Sequence, residues 1–168
     1  TTKSTVDDLI KSYFLSNHFN NIIDKSKEQY KYYLKRWYNN TLGGVPLLNA
    51  RLGNIVTPMC QRVYDEHASH SISLANHTLA IYRLLFNHAI RCGFTNHNPF
   101  AKVKIQKSKS RKVVWERHHV RAFLNTAFSK FEWRNVGVIV YMAYEWGQRM
   151  GDMRLLRWDS IDFENATM

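Results

Sequence analysis

The sequence predicts a mainly α-helical protein in two domains, residues 1–100 and 113–168, joined by a basic linker over residues 101–112. Three observations lead there. Apolar side chains recur three and four apart through most of the chain, a spacing that gathers them on one face of a helix. Runs of Gly, Pro, Asn and Ser interrupt that periodicity at intervals suited to short helix connections. The charge is also partitioned: residues 1–100 carry 11 basic and 6 acidic side chains, residues 101–112 carry 6 and 0, and residues 113–168 carry 7 and 7.

Composition narrows the function classes. A hydrophobic content of 45%, with 14% aromatic residues, is enough for a packed core and excludes a disordered chain. The net charge of +11 points to a polyanionic partner, first of all nucleic acid. Cys60 and Cys92 are far apart and lack a C-x-x-C companion, which excludes a zinc ribbon or a disulfide framework and suits a reducing cytoplasm. No apolar run approaches the roughly 20 residues that cross a bilayer, and the N-terminus has no signal pattern, so no membrane role is expected. No metal or other cofactor is expected either.

Helix one is predicted over residues 4–19, with Ser4, Thr5 and two acids at its start and Val6, Leu9, Ile10, Tyr13 and Phe14 on its inner face. A second runs from about Ser26 to Asn39 on Tyr30, Tyr33, Leu34 and Trp37, and its other side shows Lys27, Lys31 and Lys35, with Lys25 just before. Gly43, Gly44 and Pro46 read as a loop. Thr57-Pro58 reads as the start of helix three, which ends near His67. A polar run from His67 to Ser73 then separates it from helix four, about Ser73 to Cys92. That helix buries Leu74, Thr78, Ile81, Tyr82, Leu85, Phe86 and Ala89, and its outer side carries Asn76, His77, Arg83, Asn87 and Arg91. Amides, imidazole and guanidinium are side chains suited to base edges and phosphates. His67 and His70 form an H-x-x-H pair without further ligands, which a solvated loop explains better than a metal site.

The linker holds Lys102, Lys104, Lys107, Lys109, Arg111 and Lys112 and no acid. Self-repulsion should extend it, and each cation laid on a phosphate releases a counterion. Beyond it, Trp115 to Phe128 reads as an amphipathic helix. Residues 134–146 read as a helix that is apolar nearly all round and therefore buried. Ile161 and Phe163 alternate with polar residues as though opening a strand.

Between these lies the run Gly147-x-Arg149-x-x-Asp152-x-x-x-Leu156-Arg157-Trp158-x-x-Ile161-Asp162. Residues 149, 152, 153 and 156 share a helix face that Met153 and Leu156 mark as inward, with Asp152 as the expected partner of Arg149. A guanidinium fixed from behind by a carboxylate can grip two phosphate oxygens. The run resembles, without a gap, the first box of the tyrosine recombinases (phage-type integrases), roughly T-G-x-R-x-x-E-L-x-x-L-x-W-x-D-I-D. Trp146, Asp152, Arg154 and Ser160 depart from that pattern. By this resemblance Arg149 is an active-site arginine on the scissile phosphate, and Asp152 supports it. The helices upstream, ending in Gly-Phe-Thr-x-x-Asn-Pro, are similar in kind and order to the family's core-binding domain.

The resemblance implies a four-helix SAM-like core-binding domain followed by the helical start of a mixed α/β catalytic domain. It implies site-specific DNA recombination or integration through a phosphotyrosine intermediate, with double-stranded DNA as partner. A homotetramer on DNA and a bacterial, nucleoid-associated location follow from it as well. The family's later motifs, its nucleophilic tyrosine included, have no counterpart among the residues present. The chain is therefore expected to be a fragment, inactive alone, of a mobile-element enzyme. Two other classes stay open: a non-enzymatic helical DNA-binding regulator or architectural protein, and an RNA-binding module.

Overall fold

The computed structural model describes residues 4–109, 112–160 and 164. It is mainly helical. The chain divides into two compact units, Thr1–Lys109 and Ser110–Met168. The division places residues 101–109 with the first unit. The expected strand at Ile161 and Phe163 lies outside the described residues, as do Arg111 and Asp162.

In the first unit, α1 (Val6–Phe14) opens on a reciprocal cap. Thr5 Oγ1 accepts from the Asp8 backbone N–H at 3.3 Å, and the Asp8 carboxylate accepts from the Thr5 N–H at 2.9 Å. These bonds hold the Asp8 carboxyl below its usual range. The single helix expected over 4–19 is in fact two, because Ser16 caps the short α2 (Asn17–Asn20) by accepting from Phe19 N–H. α3 (Asp24–Lys35) follows. The expected loop at Gly43–Gly44 forms a small antiparallel hairpin, β1 (Thr41–Leu42) with β2 (Val45–Pro46). Both glycines have positive φ, at 59° and 83°, the backbone region that a tight reversal requires.

α4 (Thr57–His70) runs through the polar stretch expected to be a connection. Ser71 alone separates it from α5 (Ile72–Arg91), closing one helix and capping the next through Leu74 N–H. α5 ends on Gly93 at φ 73°, with Phe94 N–H donating to Ala89 C=O and Gly93 N–H to Ile90 C=O. This paired closure satisfies carbonyls that the helix end would leave open.

Trp37 is the centre of the core, stacked on Tyr82 at 5.1 Å and on Phe100 at 6.1 Å between ring centroids, and it is fully buried. The Tyr82 hydroxyl donates to the Leu34 carbonyl at the end of α3, and burial raises its pKa well above the usual value. Cys60 is buried in the same core and burial pushes its thiol up to about 12, whereas Cys92 is exposed.

The second unit packs α6 (Arg117–Ser129) against α7 (Arg134–Trp146), followed by α8 (Met150–Leu155). Val120 and Ala127 are buried; Phe123 and Leu124 are half-buried. At Gly137 the two helices approach closely: a Cβ there would lie 2.9 Å from the Phe128 ring and 3.1 Å from the Ala127 Cβ. The expectation that α7 is buried all round does not hold. Val136, Val138, Tyr141, Tyr144 and Trp146 are all more than two-fifths exposed, because within this unit α6 covers one side of α7 only.

Candidate nucleic-acid interface

The lysines of α3 divide by partner. Lys25, Lys31 and Lys35 are exposed, and Lys31 Nζ sits 5.8 Å from the Phe14 ring centroid. Lys27 is half-buried and bonded to Asp24 at 2.9 Å, so part of its charge is already answered. Beside this row, His77 of α5 stacks on Tyr33 at 5.7 Å, and the Arg36 guanidinium donates to the Tyr32 hydroxyl.

The outer face of α5 is more committed than its composition suggests. His77, Asn87 and Arg91 are exposed, as expected for a contact surface. Arg83 turns to its own chain: Nε donates to Phe100 C=O at 3.0 Å and Nη2 to Val103 C=O at 2.8 Å. The Asn98 side chain donates to Arg83 C=O and to Asn87 Oδ1, and its own oxygen accepts from Phe100 N–H. Asn76 Nδ2 donates to Gln106 C=O, Gln106 N–H donates to the Tyr64 hydroxyl, and that hydroxyl donates to Asn76 Oδ1, closing a circuit at 3.0, 2.7 and 2.7 Å. On α4, Gln61 holds both backbone groups of Lys104, accepting its N–H at 2.7 Å and donating to its C=O at 3.2 Å.

Residues 100–106 are therefore not a free tether. Phe100 and Val103 are buried, and the backbone between them and Gln106 is held by side chains of α4 and α5. Lys102, Lys104, Lys107 and Lys109 are exposed, and none has an acidic partner among the described residues. Gln61 and Tyr64 are not among the residues the sequence singles out. Their signal is polar groups at helical spacing opposite a stretch with no helix or strand of its own, whose backbone groups have to bond somewhere.

In the second unit, Gly147 ends α7 with φ 64° and its N–H on Ala143 C=O. Arg149 is the N-cap of α8, at φ −72° and ψ 143°. Its carbonyl accepts from the Asp152 and Met153 N–H groups at 3.0 and 3.1 Å. The expected inward face carrying both Arg149 and Asp152 is corrected here. Met153 is buried and Leu156 half-buried, but Arg149 and Asp152 are exposed. A cap residue has extended rather than helical backbone, so its side chain departs from the face its spacing predicts. The two side chains form no ion pair with each other. The neighbouring cation, Arg157, is held by the Asp159 carboxylate at 2.7 Å. Lys112 is exposed at the start of this unit.

Two histidines of the first unit titrate low. His67, with Nε2 at 2.9 Å from Asn40 Oδ1, is lowered first by burial. His88, 3.3 Å from Ser12 Oγ, is lowered by burial and then by Arg91 and His18. The unfolded chain then binds these protons more readily than the folded one, so stability is full above the ordinary value of 6.5 and falls as pH drops below it. The urea midpoint is expected to decrease between about pH 7.5 and about pH 5.5, a window above that of the carboxyls. A midpoint constant across that range would refute this. Among the described residues no group of three or more His, Cys, Asp or Glu side chains is placed to hold a metal ion, and no helix is long and apolar enough to cross a membrane.

Compared with protein-family profiles, with curated proteins and with solved structures, the chain matches none.

Proposed function

We propose that the chain is the DNA-binding part and first active-site segment of a tyrosine-type site-specific recombinase. Residues 1–100 would serve as its SAM-like core-binding domain. The observation that carries the reading is the run from Gly147 to Asp162, in which a left-handed glycine is followed by an arginine on a helix cap with its guanidinium exposed. Exposure leaves that cation available to a phosphodiester. An Arg–Asp pair serving only to close the fold would have engaged it.

In this reading the first unit binds duplex DNA through the exposed lysines of α3, His77, Asn87 and Arg91 of α5, and the basic segment after Phe100. The chemistry, completed by groups outside this chain, is attack of a tyrosine hydroxyl on a backbone phosphorus. A phosphotyrosyl bond forms as one backbone phosphorus–oxygen bond breaks, and the departing sugar oxygen takes up a proton as the tyrosine loses its own. Arg149 would stabilise the charge that builds on the non-bridging oxygens, a role for a preplaced donor. Assembly as a homotetramer on DNA and a nucleoid-associated location belong to the same proposal.

The binding half is testable with this chain alone. Changing Lys102, Lys104, Lys107 and Lys109 to Gln is expected to weaken duplex binding for every sequence. It should also flatten the plot of log K against log salt by up to about 3.6, at about 0.9 for each phosphate no longer neutralised. Unchanged affinity across a salt series would remove this segment from the interface. The alternative, a non-enzymatic DNA-binding regulator, requires nothing of Arg149.

A further inference from the structure

Six cations without an acid should leave a chain mobile and solvated, yet four side chains on two helices hold the backbone of the basic segment. Gln61 binds Lys104 as a neighbouring strand would, N–H and C=O together, and Gln106 is bound in the same way by Tyr64 and Asn76. Asp65 accepts from Gln61 Nε2 at 2.9 Å, which sets the amide so that its oxygen faces the Lys104 N–H. Arg83, a cation on a surface expected to meet phosphates, is spent on two carbonyls of the same segment. The side chains of Lys102 and Lys104 are left outward and without acidic partners among the described residues.

We propose that Gln61, Tyr64, Asn76 and Arg83 are positioning residues for a preformed cationic ledge, Lys102 and Lys104, that binds the phosphate backbone of duplex DNA without regard to sequence. This rests on the DNA-binding reading above and deepens it. A tethered basic tail must lose its backbone freedom when it meets a polyanion, which opposes the gain from counterion release. Here the folded protein has already fixed that backbone. The ledge therefore adds affinity without adding charge, because the same lysines on a loose chain would neutralise the same phosphates from a less ordered starting state.

Removing a ledge lysine should lower both affinity and salt dependence, whereas removing a positioning residue should lower affinity alone. Tyr64→Phe deletes one oxygen and leaves the ring in the core. Gln61→Met keeps the length and stem of the side chain and changes no charge, but loses both bonds to the Lys104 backbone. Each full-length variant of this chain is to be titrated against a short duplex over a salt series and, in parallel, against heparin. Amide exchange at Lys104 and Gln106 and the thermal midpoint are followed alongside.

Both variants are expected to speed exchange in the segment and to weaken duplex binding about tenfold, the ordering of about one backbone residue. The salt slope should stay at the wild-type value. Lys102→Gln with Lys104→Gln should instead reduce the slope by about 1.8. Faster exchange with unchanged affinity would overturn the ledge while leaving the DNA-binding reading intact, and so would a slope that falls as it does for the lysine variants. Wild-type amides at 104 and 106 that exchange as fast as those of an unstructured chain would overturn it as well. If the protein binds heparin with the expected dependence on Tyr64 and Gln61 but does not bind the duplex, the cationic ledge stands and the DNA reading fails. Binding to neither polyanion removes both.

Discussion

Replacing Arg149 by alanine in the recombinase of which this chain would be part is expected to reduce strand cleavage by about 10²–10³-fold, the loss typical of one preplaced donor to a developing oxyanion. Duplex affinity should hardly change. The side chain is one exposed cation at the start of α8, and the first unit carries most of the chain's excess positive charge. The readout is cleavage of a nicked suicide duplex, followed as the covalent protein–DNA adduct. Lysine at 149 should recover part of the rate, because it restores the charge but not the fork. Asp152→Asn should have a smaller effect than Arg149→Ala, since Asp152 does not engage the guanidinium here. If Arg149→Ala cleaves at the wild-type rate, position 149 has no part in the chemistry; a wild-type protein that binds the duplex and never cleaves it would favour the regulator reading.

Trp37→Ala is expected to cost the first unit about 3–5 kcal/mol, the range for truncating a large buried aromatic side chain. The ring packs against both Tyr82 and Phe100, which also touch each other at 5.1 Å between centroids, and it is fully buried, so the cavity would open at the junction of α3, α5 and the start of the basic segment. Phe100 then has no indole to stack on at the point from which residues 101–106 are held. Duplex affinity should therefore fall along with the urea midpoint. Trp37→Phe should be far milder. It keeps most of the apolar surface and removes an indole N–H that has no hydrogen-bond partner among the described residues. Equal losses for Ala and Phe would mean that the hidden N–H matters more than the packing.

The helices are legible in the sequence because periodicity reports burial directly. Tyr82, Leu85, Phe86 and Ala89 line up in the sequence and are buried in α5. Ser71 is harder to see, since one residue serving as the end of α4 and the cap of α5 leaves no visible gap in composition. The β1–β2 hairpin is hidden because two-residue strands cannot display alternation. The sequence identifies α7 as a helix but overstates its burial: hydrophobicity shows that a face favours cover, not that its own unit supplies it. Helical spacing misplaces position 149 because the spacing rule ends at the cap. Arg83 and Asn76 illustrate a wider limit. A polar residue on the outer face of a helix meets either solvent, a ligand or another stretch of the same chain. Only the path of residues 100–106 shows that these two meet their own backbone.

The contrast between the two thiols gives the protein a built-in reporter. A maleimide dye needs an accessible thiol, and Cys92 is an exposed residue just past the end of α5, its sulfur 3.5 Å from His88 Nε2, whereas Cys60 is sealed with its proton held up to about 12. Native protein therefore accepts one label without mutagenesis, and uptake of a second measures how often the first unit opens.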